Sequence, residues 1–255
     1  MGTPAIIPES TRIRGASLMF AAAAIYLALR LAGLHKLFDR DDEGIAALLE
    51  IVGTLYSVVY AFATYVIWGQ FAAVENEILK ESGALKDLIL FSRGLKEASR
   101  DGLVRAVRAY TRAVSESEWG GLSRGGDLER TDKLFASIIA SITEVKPADE
   151  FERHAYDHLI EMANQASRHR DERLALSAKR IPRTLLLFVT LTAFTILFLL
   201  LLYPFHNLAM GLIAVALAQM LLFLAHFVLT DLDNPFEGTW NASSQPFADL
   251  ATKYR

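Results

Sequence analysis

Residues 51–74, IVGTLYSVVYAFATYVIWGQFAAV, carry no charge and run straight into the polar stretch ENEILKES. At about 1.5 Å of rise per helical residue, such a run crosses the roughly 30 Å hydrocarbon layer of a bilayer. The span is unusually small and polar, with Gly53, Thr54, Ser57, Ala61, Ala63, Thr64, Gly69 and Gln70 along it. In a membrane such residues face other helices or water, because there they permit close approach or find partners. Two readings follow. The helix packs tightly inside a bundle, or one of its faces lines a pore.

The rest of the chain falls into apolar blocks separated by charged ones, since 53% of its residues are hydrophobic and 22% are charged. Residues 1–14 are polar and include Arg12 and Arg14; GASLMFAAAAIYLAL at 15–29 then begins an apolar helix that continues through Arg30 to about Leu37. A basic flank before an apolar run also describes a signal peptide, but Arg30 interrupts this one and no small-x-small cleavage site follows. Residues 184–202 are uncharged throughout, YPFHN turns the chain, and 208–229 return with Gln219 and His226 as polar members. The expected fold is an all-α membrane protein: four transmembrane helices in two hairpins, with a helical domain inserted between them.

The corresponding segments are an N-terminal piece (1–14), a first hairpin (15–74), the inserted domain (75–182), a second hairpin (183–230) and a tail (231–255). Basic residues flank the first and third spans (Arg12, Arg14, Lys179, Arg180, Arg183), and the two short connections are acidic or uncharged. By the positive-inside rule, both termini and the inserted domain lie in the cytoplasm. An antiparallel first hairpin sets Arg30 and Glu50 at similar depth. A lone arginine in hydrocarbon costs at least ~2.5 kcal/mol, so Arg30 pairs with Glu50, snorkels, or faces a watery vestibule where it attracts anions.

The inserted domain is helical in pattern. Leu79, Leu85, Leu88, Ile89 and Leu95 recur at helical spacing, as do Leu103, Val104, Val107 and Val114. WGGLSRGGD at 119–127 marks a break. Leu134, Phe135, Ile138, Ile139 and Ile142 give residues 127–145 an apolar face, and Pro147 stands before a further helix with its body in 148–179. Basic and acidic residues balance here, as on a solvated helical surface.

Catalytic signatures are scarce. With no cysteine, thiolate metal sites and cysteine nucleophiles are excluded, and a net charge of −3 gives no footprint for nucleic acid. Glu150, His154 and His158 share a helix face, but HAYDH lacks the glutamate of H-E-x-x-H, so a solvated face explains them better than a metal site. Asp231, Asp233 and Glu237 do not have the spacing of a calcium loop. Asn241-Ala-Ser matches the glycosylation pattern but falls on the cytoplasmic side. Phosphate-loop, dinucleotide and G-x-S-x-G patterns are missing. No enzyme, cofactor or metal is expected.

The second span and its exit, VVYAFATYVIWGQFAAVENEI, resemble the pore helix of bestrophin channels, and LDNPFEG at 232–238 is similar to the asparagine–proline–phenylalanine–glycine segment after their last span. A nearer resemblance is to the bestrophin-like domain family of bacterial membrane proteins. Its features are carried here by Ala73-Val74-Glu75, Glu118-Trp119, Arg173-Leu174, Ile181-Pro182 and DNPFEG, over roughly residues 46–247.

The resemblance implies a multi-pass homopentamer in the inner membrane, bathed in lipid, that passes ions along the axis lined by the second span. The bestrophin neck positions fall on Phe62, Val58 and Thr54, of which Phe62 alone keeps the family's aromatic. Animal bestrophins bind calcium through an acidic run beyond their Asn-Pro-Phe-Gly segment; TWNASSQ occupies that place here, and calcium is not carried over. Thr54, Val58 and Phe62 recur every four residues and stack in one stripe, with Ser57, Ala61 and Tyr65 as the neighbouring stripe. An anion-conducting channel is the expected function. The alternative is a membrane-anchored interaction or scaffold protein whose helical domain binds a partner.

Overall fold

A computed structural model of the chain describes residues 9–34, 41–119, 121 and 128–253. The first helix beyond residue 34, the start of the acidic turn at Asp39 and Arg40, and most of the glycine-rich break lie outside these. Eight α-helices follow in order: α1 Glu9–Leu31, α2 Asp42–Phe91, α3 Glu97–Ala113, α4 Glu129–Thr143, α5 Glu150–Ser177, α6 Arg183–Leu202, α7 Leu208–Leu232 and α8 Gln245–Lys253. No strand occurs among the described residues. Four helices, α1, α2, α6 and α7, are long and apolar enough to cross a membrane. The first of them ends at Leu31 rather than near Leu37, because the chain turns at Gly33, whose φ of 72° suits glycine.

Two compact units divide the chain: Met1–Trp68 with Arg180–Asp233, and Gly69–Lys179 with Asn234–Arg255. In the first, α1 and α6 both pack on α7. Two glycines set the α1–α7 approach. A Cβ on Gly211 would lie 1.8 Å from the Tyr26 hydroxyl, and one on Gly15 would lie 2.6 Å from the Phe223 ring. Small residues at such crossings let apolar helices gain dispersion contacts that lipid cannot displace. Tyr26 is thereby fully buried with Ala22 and Val215 and meets Phe205 edge-on at 6.3 Å. Asn207 caps α7, accepting a 2.8 Å bond from the Ala209 amide.

The second unit has a conventional apolar core. Val74, Ile78, Leu85, Leu88 and Ile89 of α2 meet Leu103, Val107 and Tyr110 of α3, Phe135, Ile138 and Ile142 of α4, Leu159 and Ala163 of α5, and Phe247 and Leu250 of α8. The helical spacing placed Leu79 and Ile139 on these faces, but both point outward. They lie at the edges of their apolar stripes, where one position of drift separates core from surface. At the start of α5, the Asp149 carboxylate accepts from the Glu152 amide at 2.8 Å, and the Glu152 carboxylate accepts from the Ala148 amide at 2.7 Å. This reciprocal cap starts the helix at Glu150, just after Pro147.

Candidate functional site

In α2 one unbroken helix of 50 residues carries both the apolar span and the polar stretch after it. Within the span Ala63, Ile67, Phe71 and Val74 are buried, while the opposite side is open over a wide arc. Thr54, Val58 and Phe62 lie along that arc, with Val58 63% and Phe62 59% exposed within the single chain. Ser57, Ala61 and Tyr65 lie beside them, also exposed, so the two stripes form one continuous surface.

Two hydroxyls of the span are turned back on their own helix. Ser57 donates to the Gly53 carbonyl at 2.8 Å and Thr64 to the Tyr60 carbonyl at 2.9 Å. Such back-bonding satisfies a hydroxyl inside its own helix and leaves mostly carbon on the surface. Tyr56 and Tyr60 stack at 5.7 Å, and the Tyr60 hydroxyl donates to the Ala225 carbonyl of α7 at 3.2 Å. This ties the buried side of the span to α7 and leaves the arc free.

Arg30 takes partners other than Glu50. Its guanidinium donates to the Tyr26 hydroxyl at 2.9 Å and to the Phe205 carbonyl in the α6–α7 connection. Glu50 is exposed on α2. The physical reason is the packing of α1 against α7, which brings the end of α1 to that connection. Tyr26, one turn before Arg30, was the sequence signal for this arrangement.

Glu118-Trp119, Arg173 and Phe236 of the DNPFEG turn, scattered in sequence, meet inside the second unit. Arg173 of α5 is fully buried and donates to Glu81 of α2 at 2.7 Å and to Glu118 at 2.6 Å. Glu118 ends a π turn, Val114–Glu118, that continues α3 and turns both Val114 and Glu118 into the core. Tyr110 donates to Glu81 at 2.6 Å; burial first, then the adjacent carboxylate, pushes its phenol pKa well above the ordinary tyrosine value. Burial alone would lower the Arg173 pKa, yet Glu81 and its neighbours hold it above the ordinary arginine value, so the side chain stays charged.

Aromatic groups enclose the guanidinium. Trp119 lies 5.9 Å and Phe247 5.4 Å from it, and Trp119 meets Phe236 of the DNPFEG turn edge-on at 5.2 Å. The Trp119 indole donates to the Ala242 carbonyl at 3.1 Å. Asp233, at the start of the same motif, accepts from the Ile181 amide at 2.6 Å. Motifs far apart in sequence are thus packing partners. The sequence supplied Glu118, Trp119, Arg173 and Phe236 but not Glu81 or Tyr110, which sit in unremarkable helical stretches.

Glu150, His154 and His158 of α5 are all exposed, and the His158 ring stacks on Phe91 at 4.9 Å. Among the described residues no group of three or more histidines or acids is arranged to hold a metal.

A sequence profile of the Bestrophin-like domain matches residues 15–247. Among solved structures, a point-substituted bacterial bestrophin homolog from Klebsiella pneumoniae superposes with a TM-score of 0.72 at 12% identity, covering 94% of this chain and 97% of that one. A differently substituted form gives 0.66 at 13%, over 96% and 99%. A crystal structure described as a membrane protein gives 0.62 at 11%, over 94% and 99%. At these identities the likeness is one of fold. No curated protein matches the chain.

Proposed function

The chain belongs to the Bestrophin-like family, and from that membership we propose that it assembles around an axis in the membrane into an ion channel, its pore lined by α2. The observation that carries the reading is the open arc of α2, on which Val58 and Phe62 are exposed and the Ser57 hydroxyl is turned back on the helix. Around a symmetric axis each position on that arc becomes a ring. Rings at Thr54, Val58 and Phe62 make a neck whose throat, at Val58 and Phe62, is apolar, and narrow apolar passages gate by dewetting. Five copies is the stoichiometry we propose, in the inner membrane, with both termini and the helical unit in the cytoplasm.

Anions are the favoured cargo. Among the described residues the partners of Arg30 are neutral oxygens, and no carboxylate there cancels its positive field. The test is reconstitution of the purified protein in liposomes, with flux followed under chloride, sodium and potassium gradients. Flux that follows chloride is expected. Ring-shaped assemblies that pass no ion in any salt would overturn the channel and leave a membrane-anchored scaffold.

A further inference from the structure

We propose that the groove between α3 and α4 is a second, soluble-side binding site, and that its ligand is a phosphate monoester with an apolar body. The groove has a volume of about 370 Å³ and is lined by Ala109, Arg112 and Ala113 of α3 and by Arg130, Lys133 and Leu134 of α4. That is large enough for a small organic ligand.

Both helices contribute the same spacing, a small or apolar floor residue with a cation one turn away, so the packed pair sets three cations around an apolar floor. Lys133 is paired with Glu129 on its own helix. Arg112 and Arg130 take no partner among the described residues. Like charges gathered round one groove repel, and an anion seated between them relieves the repulsion.

The choice of ligand follows from the lining. Guanidinium forks bind phosphate and carboxylate in two-pronged fashion. A monoester phosphate brings nearly two charges and three acceptor oxygens, which matches several cations better than a singly charged carboxylate does. Ala109, Ala113 and Leu134 offer nothing to a bare ion, but they bury the carbon skeleton of an ester. A soluble metabolite and a phosphomonoester lipid headgroup share this chemistry.

Calorimetric titration of the full-length assembly in uncharged detergent tests the site, with phenyl phosphate and inorganic phosphate as probes. Phenyl phosphate is expected to bind about tenfold more tightly, from burial of its ring. Arg112→Gln and Arg130→Gln should each weaken it about tenfold or more, while Arg153→Gln, exposed on α5, should leave it unchanged. Ala109→Phe, which fills the floor, should abolish phenyl phosphate binding and spare inorganic phosphate. Equal affinity for the two probes overturns the apolar component. Undiminished binding in both arginine variants, or no binding heat at all, overturns the site. Repeating the titration in nanodiscs with and without phosphatidic acid separates the two sources: competition by the lipid identifies a headgroup, and an unchanged affinity identifies a soluble ester.

Discussion

Arg173 is the side chain on which the second unit closes. It has no exposed surface, and both of its carboxylate partners, Glu81 and Glu118, are equally inaccessible. A buried pair of this kind adds little over a well-packed apolar replacement, because desolvation offsets the Coulombic gain, but removing one member strands a charge. Arg173→Met is therefore expected to cost about 3–5 kcal/mol, seen as a lower midpoint of thermal unfolding followed by fluorescence of the neighbouring Trp119. Adding Glu81→Gln and Glu118→Gln should recover most of the loss, since no carboxylate is then left without its cation. A single variant as stable as the parent would mean that water reaches these carboxylates and that the network is ornamental. One acceptor, Glu118 Oε2, has no partner among the described residues, so Glu118→Gln alone should be the mildest of the acidic changes.

Among the helices, α2 joins both roles, with one stretch inside the first unit and one inside the second. The proposed neck makes a prediction that a packing surface does not. At a throat, Phe62→Ala widens the passage and raises ion flux from proteoliposomes while the oligomer persists on size-exclusion chromatography. At a packing surface the same change leaves a cavity, costs roughly 3–5 kcal/mol, and weakens assembly with no gain of flux. Bulky replacements at Ser57 or Ala61 set the register: if they block flux and Phe62→Ala does nothing, the neighbouring stripe faces the axis. The four apolar helices were legible in the sequence because long uncharged runs have few other uses. The apolar faces of the end of α2, of α3 and of α4 were legible from period alone, apart from edge positions such as Leu79 and Ile139. What the sequence could not show is pairing between distant positions. Arg173 and Glu81 are 92 residues apart, Arg30 and Phe205 are 175 apart, and nothing local in either helix names its partner. The Gly211–Tyr26 contact was hidden for the same reason, since a glycine in an apolar helix signals a close approach but not to what.

For the molecule as a whole, the proposed topology rests on charge asymmetry rather than on any contact. Arg12 and Arg14 precede the first span, Lys179, Arg180 and Arg183 precede the third, and the short connections carry no such excess. Basic flanks of this kind stay on the cytoplasmic side, so the helical unit and both termini should be inside and the two short turns outside. The absence of native cysteine allows a direct test, because each introduced thiol is the sole target of a membrane-impermeant maleimide. Asp41, His206 and Lys146 are all exposed, so labelling at each depends on sidedness rather than burial. In intact cells Asp41→Cys and His206→Cys should label from outside, and Lys146→Cys only after the membrane is opened. The reverse pattern would invert the whole arrangement and place the cationic groove of α3 and α4 outside the cell. Labelling of Asp41→Cys but not His206→Cys would break the pairing of the four spans into two hairpins. The inverted pattern would also change which mouth of the proposed neck meets the cytoplasm, and hence the side on which the field of Arg30 acts on an entering anion.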